Sequence, residues 1–422
     1  MGAGASGPDV SADNHFAGAR DAGAAGLAAR SSADLPPVVV LGGEANALSV
    51  IRDLGRLGVM VYAAGDGDVC TRYSRYCRWV DLPAGGDWEK SCARFLLGAE
   101  SDFLRGAVLL ACSDGALRVL ARHRHELAKR YKLDDSDPAA QLAMLDKLTT
   151  YRLASAAGVP TPAFWEVSTR DEVLALAPSL RFPLMVKPRL SHVYESRFGR
   201  KHVIVEDFVQ LLSAYDAASE AEVDVLLMEW IPGPDDRLCS YFTYLDERSE
   251  PLLHFTKRVI RRYPTGMGAA TYHVTDWIPE LVEVSNRLFK HVGLRGLANI
   301  EFKYDDRDRQ YKLIECNARF VASNGLVSAS GMTLAAFVYY RVLGRPVPPP
   351  KTYRVGLRLW DPVRDYWSFR ELRRGGQITP GQWLRSVLHR HTYPFFSWRD
   401  PLPAVGRLTK PLRKLLGSRR KR

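Results

Sequence analysis

The sequence lacks most of the short patterns that identify a protein by themselves. None of its apolar runs is long enough to cross a bilayer, and its first residues do not pair a charged segment with a continuous apolar one, as a secretory signal does. The six cysteines form no C-x-x-C pair and no zinc spacing. Neither a disulfide framework nor a structural zinc is expected, and we predict reduced thiols in a cytoplasmic protein.

Signatures of nucleotide binding and catalysis are also scarce. The chain has no Walker A motif, no zinc-hydrolase signature and no nucleophile elbow. Glycines follow two predicted strands, at Gly42-Gly43 and at Gly65-Asp-Gly67, but neither group completes G-x-G-x-x-G. A dinucleotide site is therefore weakly supported, and a Rossmann-like half-domain without that cofactor is the better interpretation.

The composition is that of an ordinary globular protein. With 422 residues, 46% apolar and 25% charged, the chain can form two or three compact units. Its formal net charge of +12 favours anions such as nucleotides, nucleic acid or acidic lipids. The basic run from Arg118 to Arg130 is typical of a solvated helix face, so a nucleic-acid partner is not expected. Residues 1–35 predict a disordered leader.

The ordered part opens with alternating strands and helices. Val38–Leu41 predicts a buried strand, Asn46–Leu57 a helix, and Val59–Ala63 and Val108–Cys112 two further strands. This order is typical of an open α/β sheet. We predict a Rossmann-like domain over residues 36–135.

A predicted hairpin further along the chain carries most of the chemical information. Two runs on either side of Asp308 alternate with the period of a strand. Centring the turn on Asp308 places Glu301 opposite Glu315 and Asn299 opposite Asn317. Two carboxylates would then lie side by side.

Opposed carboxylates destabilise a sheet unless one takes up a proton or a cation lies between them. Glu301, Glu315 and the amide oxygen of Asn317 form a hard oxygen donor set, which suits Mg²⁺ shared with phosphates. Arg319, two residues further on, has a planar fork that can bind a phosphoryl or carboxylate group. The competing interpretation is a hairpin whose glutamates are merely solvated.

Other cations and a hinge support a phosphate site. Lys187 interrupts an apolar strand, which is costly unless the ammonium meets an anion. Residues Ser191 to Lys201 predict either a flap over phosphates or a plain hairpin loop. A strand that ends at Pro232-Gly233 frees backbone groups for the edge of a purine. Lys257 and Arg261, on one face of another strand, suit phosphate or a substrate carboxylate.

The chain contains, in order, Lys147, Lys187, Glu229-Trp-Ile-Pro-Gly233, Glu301 and Glu315-Cys-Asn-Ala-Arg319. This series resembles the ATP-grasp superfamily of carboxylate–amine ligases, in its stand-alone bacterial, D-aspartate ligase-like branch. The resemblance covers roughly residues 36–345, and it implies an α/β (α+β) protein in which a Rossmann-like domain precedes a two-lobed ATP-grasp domain over 136–345, hinged near 225–235.

The resemblance also implies a role for each position. The cofactors would be ATP and Mg²⁺, or Mn²⁺ in its place. The usual Glu-x-Asn-Pro-Arg ending is Glu-Cys-Asn-Ala-Arg here, which keeps the ligands and the arginine, whereas the flap has fewer glycines than in many members. Lys147 and Lys187 would contact phosphates, Glu229, Trp230 and Ile231 would bind adenine, and Asp236, or else Asp235, would bind the ribose. The metal would be held by Glu301, Glu315 and Asn317. The reacting groups would be contacted by Arg319, with Lys257 and Arg261.

The implied reaction is amide formation in two steps. A small-molecule carboxylate attacks the γ-phosphorus of ATP, and an amine captures the acyl phosphate, releasing ADP and phosphate. Two alternatives stay open: an ATP-grasp phosphotransferase acting on a small molecule, and a non-catalytic binder of anions or nucleic acid.

The last part of the chain is aromatic and then basic. Residues 346–400 predict an extension whose tryptophans pack on the core or cover the site. Residues 401–422 combine leucines with lysines and arginines and contain no acid. We prefer a solvated tail, and weak peripheral contact with an anionic membrane is the alternative.

Overall fold

The computed structural model describes residues 35–83, 86–188, 202–347 and 352–419, with side chains up to residue 410. Pro36–Arg422 form one compact unit. The predicted leader, the predicted flap and the prolines at 348–350 therefore lie outside the described residues.

The first sheet is parallel and has the strand order β3-β2-β1-β4. Strands β1 and β4 are buried throughout, which explains why their sequences are continuous apolar runs. The predicted Rossmann-like start is confirmed, although β3 and α2 were not predicted. The elements are β1 Val38–Leu41, α1 Ala45–Arg56, β2 Val61–Gly65, a 3₁₀ turn Cys70–Tyr73, β3 Cys77–Asp81, α2 Trp88–Leu97, a 3₁₀ turn Ala99–Leu104, β4 Val108–Ala111, α3 Asp114–Arg122 and α4 Arg124–Ala128.

Two helices lead from this sheet to a small antiparallel one of order β5-β8-β6-β7. A separate apolar core that includes Val186, Leu211 and Leu227 lies under this small sheet. The elements are α5 Pro138–Leu145, α6 Lys147–Ala156, β5 Phe164–Glu166, α7 Arg170–Leu176, β6 Leu184–Pro188, β7 Val203–Val205, α8 Phe208–Glu220 and β8 Val225–Glu229.

The third sheet has seven strands in the order β13-β12-β9-β10-β11-β14-β15. Its strand β9 is buried along its whole length, and the lack of polar alternation explains why the sequence did not predict it. The elements up to β13 are a 3₁₀ turn Asp235–Arg237, β9 Leu238–Leu245, β10 Phe255–Tyr263, β11 Ala269–Asp276, α9 Glu280–Val292, β12 Gly296–Asp305 and β13 Gln310–Asn317.

One core joins the parallel sheet to the seven-stranded one. Val39 and Leu41 of β1 belong to the same buried cluster as Ile300 and Phe302 of β12. The small sheet, with its separate core, forms the other lobe. This two-lobed α/β architecture confirms the predicted fold class.

The remaining elements complete the seven-stranded sheet and its surroundings. Strand β14 pairs with β11, and Arg52 of α1 is held by Asp400 through a buried ion pair of 2.9 Å. Trp360 and Trp383 both donate to Asp365 at 3.0 Å, so these two aromatics pack on the core. The elements are α10 Asn324–Ala329, α11 Leu334–Val342, β14 Arg358–Trp360, α12 Pro362–Arg374, α13 Pro380–Val387, β15 His391–Thr392 and α14 Leu402–Arg419.

Candidate active site

The predicted hairpin register is confirmed at its functional end. Glu301 lies opposite Glu315, and Asn299 lies opposite Asn317. Directly after the glutamate pair the register shifts, which leaves Ile314 as the extra residue of a bulge. The alternation of the two strands did not predict this bulge, because it depends on how β13 pairs with β12.

The glutamate pair belongs to a row of side chains that crosses five strands. Residues directly opposite one another in a sheet share a face. Burial raises the pKa of Glu301, and the charge of Glu315 raises it further, whereas Lys257 lowers it. Burial in turn lowers the pKa of Lys257. The row is Glu315, Glu301, Ser240, Lys257 and Thr275.

The oxygen atoms beside the pair fit a hard divalent cation. Asn317 Nδ2 donates to Glu315 Oε1 at 3.1 Å, which leaves the amide oxygen of Asn317 for a ligand. The buried Oδ1 of Asn299 has no partner among the described residues. Within the same residues no cluster of three His, Cys, Asp or Glu could hold a metal. A cation here would thus depend on the two glutamates, Asn317, and oxygens from phosphate or water.

Lys187 is connected to strand β13 through the hydroxyl of Tyr151. Lys187 Nζ donates to Tyr151 Oη at 3.0 Å, and that hydroxyl donates to the carbonyl oxygen of Ile314 at 2.7 Å. Burial lowers the pKa of Lys187 to about 8, and the charge of Glu315 partly opposes the shift. Lys147 begins the helix that carries Tyr151, so one element positions both groups.

Arg319 crosses to the parallel sheet. Its Nε donates to Asp114 Oδ1 at 2.5 Å, in the first turn of α3. Burial opposes ionisation of Asp114, but Arg319, with Arg118 and Lys147, brings its pKa below the usual value. Sequence analysis missed Asp114, although its place after β4, at the carboxyl end of a parallel strand, was an available signal.

Glu229, at the end of β8, is tied to the hairpin turn. Its Oε2 accepts from the amide of Ala163 at 3.1 Å, and its Oε1 accepts from Arg307 at 2.5 Å. Arg307 and Lys312 also bind Asp305, and Arg307 is the main cause of the low pKa of that buried carboxylate. The end of β8 is thereby held against the turn between β12 and β13.

The segment after Glu229 lies over Lys303. The ammonium of Lys303 donates to the carbonyl oxygens of Ile231 and Gly233 at 2.7 and 3.0 Å, and it lies 5.1 Å from the ring centre of Trp230. Burial and the charge of Arg262 lower the pKa of Lys303 to about 8. Among the described residues, no group accepts the amide hydrogen of Ile231. That donor suits a ring nitrogen of adenine.

The two candidate ribose ligands differ. Asp235 is bound to Arg262 at 2.6 Å. The side chain of Asp236 is exposed, while its carbonyl oxygen accepts from Arg258 at 3.3 Å. Asp236 is thus the carboxylate that a ligand can reach more easily.

Arg261 lies in different surroundings from the carboxylate pair. A bulge in β10 between Val259 and Arg261 shifts the register. The Arg261 guanidinium makes two hydrogen bonds of 2.8 Å to Asp365, a buried carboxylate of α12. The Arg261 guanidinium is therefore occupied by Asp365. Of the two predicted cations, only Lys257 lies in the glutamate row.

His273 is a further group that the sequence did not indicate. It lies on β11 two residues before Thr275, and its buried Nδ1 has no partner among the residues described. Burial, followed by the charge of Lys257, places the pKa of His273 well below its usual value, so the imidazole is neutral. The prediction missed it because strand β11 was not recognised.

Comparisons with known proteins agree with this geometry. The family model described as carbamoyl-phosphate synthase L chain, ATP binding domain, matches residues 273–343. A D-aspartate ligase of Enterococcus faecium is 27% identical over 329 residues, which cover 73% of this chain and 77% of that one. A D-alanine–D-alanine ligase of Stutzerimonas stutzeri is 30% identical over 192 residues, or 42% of this chain and 56% of that one.

Together with the site geometry, these matches support an ATP-grasp carboxylate–amine ligase, and the chain is called the ligase below. The match spans little more than half of the D-alanine–D-alanine ligase. Among solved structures, the biotin carboxylase domain of the 2-oxoglutarate carboxylase of Hydrogenobacter thermophilus, in complex with MgADP, has a TM-score of 0.60 at 16% identity and covers 76% of the ligase and 72% of that chain. That likeness concerns the fold. The ligase uses ATP and a divalent metal ion, and its substrates are a small-molecule carboxylate and an amine.

Proposed function

We propose that the ligase activates a carboxylate as an acyl phosphate with Mg-ATP and transfers the acyl group to an amine, releasing ADP and phosphate. The observation that carries this proposal is the row in which half-buried Glu301 faces half-buried Glu315 and buried Lys257 follows on the same face. Two like charges held side by side on a sheet are stabilised when a cation lies between them.

Each group of side chains would contact a different part of the substrates. Glu301, Glu315 and Asn317 would hold Mg²⁺, or Mn²⁺, which when bound neutralises charge on the phosphates. Lys147 and Lys187 would bind phosphate oxygens. Arg319, oriented by Asp114, would face the transferred phosphoryl group, and Lys257 would neutralise charge on the substrate carboxylate. The hinge backbone from Glu229 to Ile231 would bind adenine and Asp236 the ribose.

The names of the two curated relatives support a substrate class. One is a D-aspartate ligase and the other a D-alanine–D-alanine ligase. We therefore propose that a D-amino acid is one substrate. We also propose a cytoplasmic location, because the six cysteines are free.

The first experiment measures thermal unfolding with and without Mg-ATP. A ligand at about a hundred times its dissociation constant adds about 2.7 kcal/mol to the free energy of unfolding. We expect a stabilisation that needs the metal and that is lost in Glu315→Gln. The matched control is Glu166→Gln, which changes an exposed strand glutamate of the other lobe.

A product assay then separates the chemistries. With D-amino acids and a panel of amines, ADP release that requires both substrates and yields an amide supports the ligase reaction. A stable phosphorylated product formed without any amine would replace the proposal with a phosphotransferase. If Glu315→Gln bound Mg-ATP and turned over like the wild type, the assigned metal site would be wrong.

A further inference from the structure

The positive charge of the ligase is concentrated in one part of the chain. Residues 362–422 contain fifteen Lys and Arg and three Asp and Glu. The difference of twelve equals the formal net charge of the whole chain, so the preceding residues are neutral as a set. A charge so confined produces a local positive field.

The three acids of this part do not weaken that field at the surface. Asp365 is bound to Arg261 and Asp400 to Arg52, and both carboxylates are buried. Glu371 accepts from the amide of Thr265 at 3.0 Å. The acids are thus used within the fold, while the basic side chains outnumber them five to one.

Helix α14 carries an exposed apolar stripe within this region. Leu402, Val405 and Leu408 are 57%, 51% and 62% exposed, and Trp398 just before the helix is 89% exposed. Residues spaced by three lie on one face of a helix. These four residues are called the α14 stripe below.

The opposite face of α14 is anchored to the protein. Gly406 lies so close to Tyr73 that an added Cβ would come within 2.4 Å of the ring. Arg407 binds Asp361 at 2.9 Å and stacks on Phe395. The helix is thereby fixed with the α14 stripe outward, which distinguishes it from a loose tail.

We infer that the α14 stripe and the surrounding basic residues dock the ligase on the surface of an anionic lipid bilayer. A basic amphipathic helix with tryptophan at its edge suits the boundary between headgroups and acyl chains. Anionic lipids match the charge. A nucleic acid would match the charge too, but it offers no apolar phase for the leucines. Among the described residues, no helix is long and apolar enough to cross a membrane, so the contact is peripheral.

Co-sedimentation of the full chain with vesicles tests this inference. We expect binding to vesicles that contain phosphatidylglycerol and little binding to pure phosphatidylcholine. Raising the salt to about 0.5 M should release the protein, because it screens the surface charge. Each basic residue near the surface contributes about fivefold in affinity, so Arg399→Gln, at an exposed residue next to Trp398, should weaken binding roughly fivefold.

Two matched controls separate the α14 stripe from general effects. Leu402→Ser/Leu408→Ser should weaken binding by at least about tenfold, whereas Val209→Ser, at an exposed apolar site of the other lobe, should not. Lys129→Gln/Lys132→Gln, two exposed lysines near α4, should bind like the wild type.

Three outcomes would overturn the inference: equal binding to neutral vesicles, binding that is unaffected by Leu402→Ser/Leu408→Ser, or preferential binding of RNA over vesicles. Thermal stabilisation by Mg-ATP should be unchanged in the α14 variants. This readout keeps failure of the docking surface distinguishable from failure of the ligase site.

Discussion

Tyr151 donates its hydroxyl hydrogen to the carbonyl oxygen of Ile314 at 2.7 Å, so helix α6 is bonded to the bulge beside the carboxylate pair. The same hydroxyl accepts from Lys187. Helix α6, strand β6 and the bulge of β13 therefore meet at one oxygen atom.

Tyr151→Phe removes that oxygen and keeps the ring. We expect a loss of about 1–3 kcal/mol in the free energy of unfolding, because the buried ammonium of Lys187 loses its acceptor, and weaker binding of Mg-ATP. Denaturant unfolding and calorimetric titration measure the two effects. Tyr215→Phe, another buried tyrosine, is the control. Unchanged Mg-ATP affinity in Tyr151→Phe would contradict this role.

The pKa of Lys187 predicts how affinity depends on pH. Because burial lowers this pKa to about 8, nucleotide binding must be accompanied by proton uptake at higher pH. The dissociation constant of Mg-ATP should rise about eightfold between about pH 7.5 and 9. Lys187→Arg keeps its charge in this range and should lose most of the dependence. An equal pH dependence in Lys187→Arg would exclude Lys187 as its source.

The same shift affects the stability of the ligase without nucleotide. Between the folded pKa of about 8 and the ordinary value of 10.5 the unfolded chain binds a proton that the folded chain does not. The contribution of Lys187 to the free energy of unfolding should therefore become more favourable to the folded state as pH rises through this interval. Comparing wild type with Lys187→Met over the interval isolates the contribution.

Asp114 is expected to position Arg319. Asp114→Asn weakens the charge-assisted bond that aims the guanidinium, so kcat should fall by about tenfold or more while KM for ATP changes little. Steady-state kinetics provides the test. Asp102→Asn, a comparably exposed partner of Arg130, is the control. An increase in KM alone would indicate that Asp114 acts on binding instead.

Asp365 is expected to matter for stability and little for ATP binding. It accepts from Arg261, Thr271, Trp360 and Trp383. Removing one partner of a buried pair costs about 3–5 kcal/mol, so Asp365→Ala should lower the denaturation midpoint strongly. Asp224→Ala, at an exposed position, should have almost no effect. If folded Asp365→Ala lost Mg-ATP binding selectively, Arg261 would belong to the site after all.

Local patterns predicted much of this architecture. Helix α9, Glu280–Val292, is encoded locally, since its apolar spacing and the following Gly293 both mark a helix and its end. The opposition of Glu301 and Glu315 followed from the alternation of two strands and a short turn. Strand β9, in contrast, was missed because a strand buried on both faces shows no alternation.

The sequence by itself determined the order of the chemical groups and the pairing of the two glutamates, because both depend on neighbours along one hairpin. Only the tertiary structure decided which distant groups join them. The register of β10 separates Arg261 from Lys257, the bulge at Ile314 offers a carbonyl to Tyr151, and the end of β4 brings Asp114 to Arg319. Such contacts depend on packing between elements far apart in sequence, and local periodicity does not encode that packing.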